Sequence, residues 1–282
     1  MKNNYDNLLL HLCNISIKAG HEIMQFYNNN NEVGFKKDSS PLTEADLAAN
    51  NLIIQELNSI DKKIKIITEE SLVDWNTRKT WSQYWLVDPL DGTKEFINKN
   101  DEFTVNIALI EKNEPVIGVI YAPALSKLYY ASKNNGAFKL TGSKIFENLN
   151  ESQSIKVNRL TNLNETRIIS SRSHSNEKVN NWISENFDKV KLLKKGSSLK
   201  FCEIAEGNAD FYPRFGPTSE WDIAAADAVL KSYGGSIFSL ENFEKLKYSK
   251  KNILNPPFIA YRNELIREAY GQKVEDYVKK LL

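Results

Sequence analysis

Hydrophobic residues recur in the first sixty positions with the spacing of two amphipathic helices. Apolar side chains over Leu8–Phe26 fall three or four positions apart and predict a first helix that ends in the asparagine-rich segment Asn28–Asn31. A second apolar stripe over Leu47–Leu57 follows Thr43, whose hydroxyl is suited to cap a helix. Asp46 then lies in the first turn of the second helix, where the helix dipole stabilises an acid.

Short β-rich runs replace the helical pattern from Lys63 onward. The runs that we expect to pair into one sheet are Ile64–Thr68, Tyr84–Val87, Phe103–Ile110, Val116–Tyr121 and Leu128–Ala131. The polar and aperiodic stretch Gly142–Ser154 predicts a boundary. We therefore divide the chain into an N-terminal region over 1–150 and a C-terminal region over 151–282.

Helices and strands alternate again in the C-terminal region. The predicted helices are Glu177–Phe187, Ser198–Glu206, Asp222–Ser232 and Glu264–Leu282, and the predicted strands lie near Arg167–Ser170, Ala209–Tyr212 and Ser236–Phe238. This pattern predicts an α/β fold in which helices pack on sheets.

The composition is that of a globular protein without a charge bias. Among 282 residues, 37 Lys and Arg oppose 36 Asp and Glu, so no overall field attracts nucleic acid or anionic lipid, and any anion site must be local. The two cysteines, Cys13 and Cys202, lie beside apolar residues and are expected to be buried thiols, as in a reducing cytoplasm. The apolar run Leu8–Leu10 is too short for a signal peptide or a membrane span.

Two aspartates directly follow the apolar run that ends at Val87. The segment reads Asp88-Pro89-Leu90-Asp91-Gly92-Thr93, and we expect the strand to end at Pro89, which cannot donate to a strand ladder. A tight turn would bring the two carboxylates together, with the Leu90 carbonyl and the amides of Gly92 and Thr93 beside them. Oxygen ligands without His or Cys suit Mg²⁺ or Mn²⁺, although a solvated loop would have the same composition.

Further acids follow other predicted elements. Glu69 and Glu70 come directly after a short β run, where such a pair is either exposed or held by a cation. Asp222 follows Trp221 and opens an alanine-rich helix, so it is either a plain N-cap or a carboxylate near the core that requires a partner.

In combination, these motifs resemble the magnesium-dependent, lithium-sensitive phosphatase family that includes inositol monophosphatase, fructose-1,6-bisphosphatase and the 3′(2′),5′-bisphosphate nucleotidases. The resemblance rests on an acidic pair after a strand, then Asp-Pro-Leu-Asp-Gly-Thr, then Trp-Asp before a helix. The segments Ser171–His174, Gly196–Cys202 and Tyr212–Thr218 are most similar to the bacterial nucleotidases of this family. The resemblance implies a layered α/β sandwich with the metal cleft between the two regions.

The resemblance also implies two or three Mg²⁺ ions as cofactors. One ion would be bound by Glu69, Asp88 and the Leu90 carbonyl oxygen. Asp88 would bridge to a second ion, which Asp91 and Asp222 would also bind. A third, looser ion or a water shell would lie near Glu69 and Glu70.

For catalysis, the resemblance implies in-line attack of water on phosphorus without a phosphoenzyme. Thr93 corresponds to the family threonine that orients this water, and Asp46 corresponds to the aspartate that polarises it. By themselves, Thr93 would be an ordinary turn hydroxyl and Asp46 an ordinary first-turn acid.

The implied substrate is adenosine 3′,5′-bisphosphate, which would lose its 3′-phosphate to give AMP, a step linked in bacteria of this subfamily to sulfate assimilation. The residues that would contact it, by the same resemblance, are Glu69, Leu90, Asp91, Gly92, Thr93, Ser198, Lys200, Arg214 and Asp222. Lys200 could instead face solvent, Tyr212 could belong to the core, and His174 is expected to be exposed. The resemblance allows loose attachment to the cytoplasmic face of the inner membrane, and it leaves the oligomeric state open.

Three alternatives remain open at this point. The ending Asp-Gly-Thr is also typical of phosphatases that form an aspartyl-phosphate, although their motif follows the first strand and has a different spacing. An inositol monophosphatase would use the same cleft. A protein that only senses a nucleotide bisphosphate would bind without catalysis.

Overall fold

The computed structural model describes residues 5–29, 33–35, 41–150, 152–155, 165–173, 177–187 and 189–281. Its helices are α1 (Tyr5–Tyr27), α2 (Glu44–Ile60), α3 (Trp75–Arg78), α4 (Thr93–Ile97), α5 (Glu177–Asn186), α6 (Leu199–Ala205), α7 (Glu220–Tyr233) and α8 (Glu264–Leu281). Its strands are β1 (Val33–Phe35), β2 (Pro41–Thr43), β3 (Lys65–Thr68), β4 (Gln83–Asp91), β5 (Thr104–Glu111), β6 (Glu114–Ala122), β7 (Lys127–Ser132), β8 (Gly136–Thr141), β9 (Gln153–Ser154), β10 (Thr166–Ser171), β11 (Val190–Lys195), β12 (Phe211–Arg214), β13 (Ser236–Ser239) and β14 (Phe258–Tyr261).

Two main sheets alternate with three helical layers through the described part of the molecule, and a separate two-stranded sheet pairs β1 with β2. The strands β3 to β9 form a seven-stranded sheet in chain order, and a five-stranded sheet has the order β11-β10-β12-β14-β13. Helices α1 and α2 pack on the outer face of the larger sheet, α6 and α7 lie between the two sheets, and α5 and α8 cover the far face of the smaller one. The predicted layered α/β fold is confirmed.

Helix α7 packs unusually closely on the larger sheet because β6 has a glycine beneath it. A Cβ built on Gly118 would lie 2.2 Å from the carbonyl oxygen of Ala225 and 2.8 Å from the Cβ of Ala228. No side chain fits at this position, and the helix with its alanine face is held against the sheet. The N-terminus of α7, which carries Asp222, is thereby placed beside the end of β4.

Most predicted elements are present with small shifts at their ends. Helix α1 spans the predicted amphipathic segment, α2 begins directly after Thr43, and all the predicted N-terminal strands pair in the larger sheet. Cys13 and Cys202 are buried free thiols, as expected. The chain passes from the larger sheet to the smaller one between Ser154 and Thr166, but α6 and α7 pack on both sheets. The division of the chain at residue 150 stays a prediction.

The prediction that the sheet ends at Pro89 is wrong. Strand β4 continues to Asp91, with Asp88 paired to Asn106 and Asp91 paired to Thr104. A register shift separates these two pairs, and Pro89 lies within it. At this irregular stretch of the ladder no hydrogen bond from the N–H of residue 89 is needed, so a proline is tolerated.

The prediction that Asp222 opens its helix is also wrong. Helix α7 begins at Glu220 with Ser219 as its N-cap, and Asp222 is the third residue of the helix. Elements absent from the sequence prediction include α3, α4, β8, β11 and β14. Residue His174 and much of the predicted loop Lys36–Pro41 lie outside the described residues.

Candidate active site

A cleft of about 490 Å³ opens where the end of β4 meets the N-terminus of α7 and the turn before α6. It is lined by nine of the eleven residues predicted for metal binding, substrate binding or catalysis, namely Glu69, Asp88, Leu90, Asp91, Gly92, Thr93, Lys200, Arg214 and Asp222. The other two lie behind this lining: Asp46 contacts Thr93, and Ser198 contacts Asp91. The distant predicted residues therefore meet at one place.

The irregular end of β4 presents two carboxylates to the cleft. Asp88 is buried, and its Oδ1 accepts a hydrogen bond of 3.1 Å from the backbone N–H of Leu90. The chain then turns at Gly92, which has a φ of +94°. The positive φ favours glycine here, and a Cβ at Gly92 would lie 3.2 Å from the carbonyl oxygen of Glu102, a tight contact that adds to this preference.

Asp46 and Asp222 have the same local setting at the starts of different helices. Each is the third residue of its helix and forms a capping box with the N-cap, which is Thr43 for α2 and Ser219 for α7. The Thr43 N–H donates to Asp46 Oδ2 at 2.8 Å, and the Ser219 N–H donates to Asp222 Oδ2 at 2.8 Å. The cap orients each carboxylate by holding one of its oxygens.

One oxygen of Asp91 carries all of the hydrogen bonds that this carboxylate receives. Its Oδ2 accepts from Ser197 Oγ at 2.6 Å and from the Ser198 N–H at 2.7 Å, and it lies 3.0 Å from Ser198 Oγ. Asn106 Nδ2 donates to the same oxygen at 3.3 Å. Asp91 Oδ1 accepts no hydrogen bond from the described residues, which makes it the oxygen available to a ligand.

Thr93 lies at the start of α4 and connects the cleft to Asp46. Its hydroxyl is 3.3 Å from Asp46 Oδ1 and 3.4 Å from the Leu90 carbonyl oxygen. Asp46 is buried, and its other oxygen accepts from the Thr43 hydroxyl at 2.6 Å. The threonine hydroxyl can therefore pass a proton toward a carboxylate that is already oriented.

The acidic side chains of the cleft destabilise one another when they are charged. Burial raises the pKa of Asp222 well above its ordinary value, and the nearby charges of Asp91 and Glu69 raise it further. Within the described residues, no three acidic, histidine or cysteine side chains are grouped closely enough to hold an ion as they stand. The donor set consists of oxygens alone and fits hard divalent cations, which would offset the repulsion as they draw the carboxylates together.

Lys200 and Arg214 place positive charge in the same cleft. Lys200 is buried and does not face solvent, and its Nζ donates to the Ser197 carbonyl oxygen at 2.5 Å. Burial lowers the pKa of Lys200 to about 8, although the charge of Asp91 acts in the opposite direction. Arg214 Nη2 donates to the Pro217 carbonyl oxygen at 3.1 Å, while its buried Nε has no acceptor in the described part of the chain.

Ser198 occupies a different position from that expected of a substrate donor. It is buried, and its hydroxyl lies 2.9 Å from the Asp222 carbonyl oxygen and 2.9 Å from Asn106 Nδ2, in addition to its contact with Asp91. These contacts orient the acids of the cleft. Direct contact of Ser198 with substrate stays a prediction.

Three residues of the site were absent from the sequence prediction. Ser197 and Glu95 line the cleft, and Asn106 supports Asp91 from the neighbouring strand. The signal for Asn106 was present in the sequence, because Thr104 and Asn106 are polar positions at alternate places in a strand whose other buried residues are all apolar.

The fold and this site define a class of phosphatase. The chain belongs to the inositol monophosphatase family, whose model matches residues 4–278. The aspartyl-phosphate alternative does not agree with this membership, and its motif follows a first strand, whereas Asp88 and Asp91 lie in β4.

Within this family, the chain is similar to several CysQ proteins. The 3′(2′),5′-bisphosphate nucleotidase CysQ of Buchnera aphidicola is 44% identical over 266 residues, which cover 92% of this chain and 96% of that protein. CysQ of Escherichia coli strain K12 is 38% identical over 254 residues, which cover 89% of this chain and 98% of that protein. The expected resemblance to the bacterial nucleotidases is confirmed.

Solved structures agree with the fold. The crystal structure of CysQ from Bacteroides thetaiotaomicron superposes with a TM-score of 0.82 at 36% identity and covers 92% of this chain and 98% of that one. The Thermotoga maritima IMPase gives a TM-score of 0.75 at 23% identity, covers 95% of this chain and 96% of that one, and supports the fold alone.

Proposed function

We propose that this protein is a 3′(2′),5′-bisphosphate nucleotidase that removes the 3′-phosphate of adenosine 3′,5′-bisphosphate and yields AMP and phosphate. The observation that carries the proposal is the similarity to CysQ proteins over about nine-tenths of the chain, which includes all of the cleft. The acidic cleft is also lined by the buried Lys200 and the half-buried Arg214. Acidic ligands for metal ions together with basic side chains suit a phosphate monoester that carries a second phosphate.

The enzyme is metal-dependent, with Mg²⁺ as the cation and two or three ions in the working site. Glu69, Asp88 and the Leu90 carbonyl oxygen would hold one ion. Asp88, Asp91 and Asp222 would hold a second. When bound, the cations neutralise the carboxylates, attract the phosphate and lower the pKa of water.

The proton of the attacking water passes to residues of the chain. Thr93 Oγ1 accepts a hydrogen bond from the water, and the Thr93 hydroxyl donates to Asp46 Oδ1, 3.3 Å away. The capping box with Thr43 holds Asp46 in the orientation that accepts this proton. The side chains thereby fix the direction of attack on phosphorus.

Lys200 and Arg214 bind the remainder of the substrate. Both line the cleft, and Lys200 reaches it from a buried position where its charge is poorly solvated. The oxygens of a phosphate group replace the water molecules that burial has removed from the Lys200 ammonium group. A substrate with two phosphates therefore gains more from this cleft than one with a single phosphate.

The experiment that tests the proposal is a phosphate-release assay with purified protein and Mg²⁺. Adenosine 3′,5′-bisphosphate should be hydrolysed with at least a tenfold higher kcat/KM than inositol 1-phosphate or fructose 1,6-bisphosphate. Faster turnover of inositol phosphate would make this protein an inositol monophosphatase. Binding of the nucleotide without phosphate release, both in the wild type and in Asp91→Asn, would make it a sensor.

The cellular setting belongs to the same proposal. No helix in the described residues is both long and apolar enough to cross a membrane. We place the activity in the cytoplasm, in sulfur metabolism, and with a small-molecule substrate and not a nucleic acid. Loose attachment to the inner membrane and sensitivity to lithium stay predictions of the family resemblance.

A further inference from the structure

Glu102 lies in the segment between α4 and β5, outside the lining of the cleft, and is almost completely buried at 6% exposure. Its carboxylate accepts from a group of donors at the ends of β10 and β11. Arg172 donates twice, from Nε to Oε2 at 2.7 Å and from Nη2 to Oε1 at 2.8 Å. Lys195 Nζ lies 3.4 Å from Oε1. An acid just before β5 of the larger sheet thus pairs with residues at the ends of β10 and β11 in the smaller sheet.

The same carboxylate also holds the turn that leads into α6. The backbone N–H of Gly196 donates to Glu102 Oε2 at 2.8 Å. Arg172 reinforces this turn from the other side, because its N–H donates to the Lys195 carbonyl oxygen at 3.0 Å. The turn is therefore fixed by one carboxylate and by the arginine that this carboxylate pairs with.

The turn has a strained and closely packed backbone. Ser197 has a φ of +51°, an unusual value for a residue other than glycine. At Gly196, an added Cβ would lie 2.5 Å from Glu95 Cγ and 2.8 Å from the Glu102 carbonyl oxygen. A residue held in such a conformation persists because its surroundings over-determine it, and two carboxylates bond to the N–H groups of this turn: Glu102 to that of Gly196 and Asp91 to that of Ser198.

Asp91 depends on this turn for its orientation. Ser197 Oγ and the Ser198 N–H donate to Asp91 Oδ2 at 2.6 and 2.7 Å and leave Oδ1 available. A shift of the turn would move both donors together. Glu102 is thus connected to Asp91 through Gly196, Ser197 and Ser198.

We propose that Glu102, paired with Arg172, is a positioning residue that sets the geometry of Asp91 for cation binding by holding the turn 196–198. The proposal rests on the proposed function only in that Asp91 binds a divalent cation. Burial acts to raise the pKa of Glu102, but Arg172 and the Gly196 N–H outweigh this effect and hold it below its usual value, so the pair is charged at neutral pH. A second ion pair, which joins the larger sheet to the end of α6, provides the control. Glu206 accepts from Lys139 Nζ at 2.7 Å and from Tyr129 Oη, at a distance from the cleft lining.

The test measures Mg²⁺ binding by titration calorimetry on the full chain, without substrate. Glu102→Gln should weaken Mg²⁺ binding by about 10-fold, the lower end of the effect expected when a partner of a metal ligand is lost. Glu206→Gln should change it less than twofold, although both variants lower the melting temperature. Arg172→Gln should reproduce the loss, and Arg172→Lys, which keeps the charge without the paired geometry, should recover part of it.

The outcomes separate this proposal from the proposed function. Equal Mg²⁺ affinity in the wild type and Glu102→Gln, or an equal loss in Glu206→Gln, would overturn the positioning role. If Glu102→Gln does not fold, Arg172→Gln decides in its place, because Arg172 is half exposed. Absence of Mg²⁺ binding in the wild type would instead overturn the proposed function. Tight binding without nucleotidase activity would leave Glu102 in its role and overturn only the substrate.

Discussion

The Thr93 hydroxyl lies 3.3 Å from Asp46 Oδ1, although 47 residues separate them in the chain. Asp46 reaches this position from the first turn of α2, and Thr93 reaches it from the first residue of α4. The first turns of α2 and α4 are thus joined by one hydrogen bond. This pairing is the structural basis of the proton relay that we propose.

Removal of either partner of the relay should slow the chemical step. Thr93→Ala should lower kcat by about 10²-fold or more, the size of a typical general acid–base contribution, while Mg²⁺ affinity changes little. Asp46→Asn should have a similar effect, and the two losses should not add, because both variants interrupt one proton path. Steady-state phosphate release at saturating Mg²⁺ measures this effect.

Thr93→Ser is the control for the relay. It retains the hydroxyl and should retain most of the rate. A near-normal kcat in Thr93→Ala would remove Thr93 from the mechanism.

Binding of divalent cations should release protons, because the pKa of Asp222 is raised. A carboxyl group with a raised pKa keeps its proton to higher pH, and a cation can bind only after the proton has left. Mg²⁺ affinity should therefore rise as the pH rises toward that pKa and fall as the pH is lowered. Calorimetric titrations at pH 6 in two buffers of different ionisation enthalpy measure the protons released.

Asp222→Asn should bind Mg²⁺ more weakly and release fewer protons. Binding that is independent of pH, with no proton released in the wild type, would show that Asp222 takes no part.

The pKa of Lys200 should appear in the pH profile of kcat/KM. Its ammonium group predominates below the lowered pKa of about 8 and is lost as the pH rises through that value. Because the charged Lys200 ammonium group attracts the anionic nucleotide, and this charge is lost above pH 8, kcat/KM should fall above pH 8. Lys200→Arg keeps its charge throughout this range and should not show the fall, whereas Lys200→Met should lose about 10-fold or more in kcat/KM already at pH 7.

Profiles of the wild type and Lys200→Arg that decline together above pH 8 would assign the fall to another group.

Ser198 offers a test of whether it supports the acids or binds the substrate. Its hydroxyl lies 3.0 Å from Asp91 Oδ2 and 2.9 Å from the Asp222 carbonyl oxygen. Ser198→Ala should therefore weaken Mg²⁺ binding by about 10-fold while the KM for nucleotide at saturating Mg²⁺ changes less than threefold. A large rise in KM with normal Mg²⁺ affinity would favour the contact with substrate that the family resemblance implies.

The sequence predicted those site residues whose position follows from a local motif. Thr43 precedes Asp46 by three positions, and an N-cap at Thr43 places Asp46 in the first turn of α2 whatever the rest of the fold does. The segment from Asp88 to Thr93 was recognised for the same reason, because its turn is encoded within a few residues. The same capping arrangement of Ser219 and Asp222 at the start of α7 was missed.

The residues that were missed depend on contacts between layers. Ser197 and Glu102 acquire their roles only when the five-stranded sheet docks on the larger one, and no periodicity of the sequence records that docking. Strand β11 was missed because it is an exposed edge strand rich in lysine, which lacks the apolar run of a buried strand. The end of β4 was placed too early because Pro89 is tolerated within an irregular ladder.

The central claim is that acids distant in sequence gather in one cleft to bind divalent cations. The most direct measurement is the anomalous diffraction of a crystal soaked in Mn²⁺, which replaces Mg²⁺ at oxygen sites. We predict peaks in coordination contact with Asp88, one shared with Glu69 and one shared with Asp91 and Asp222. Ordered Mn²⁺ elsewhere on the molecule, with no peak among these four side chains, would contradict the account.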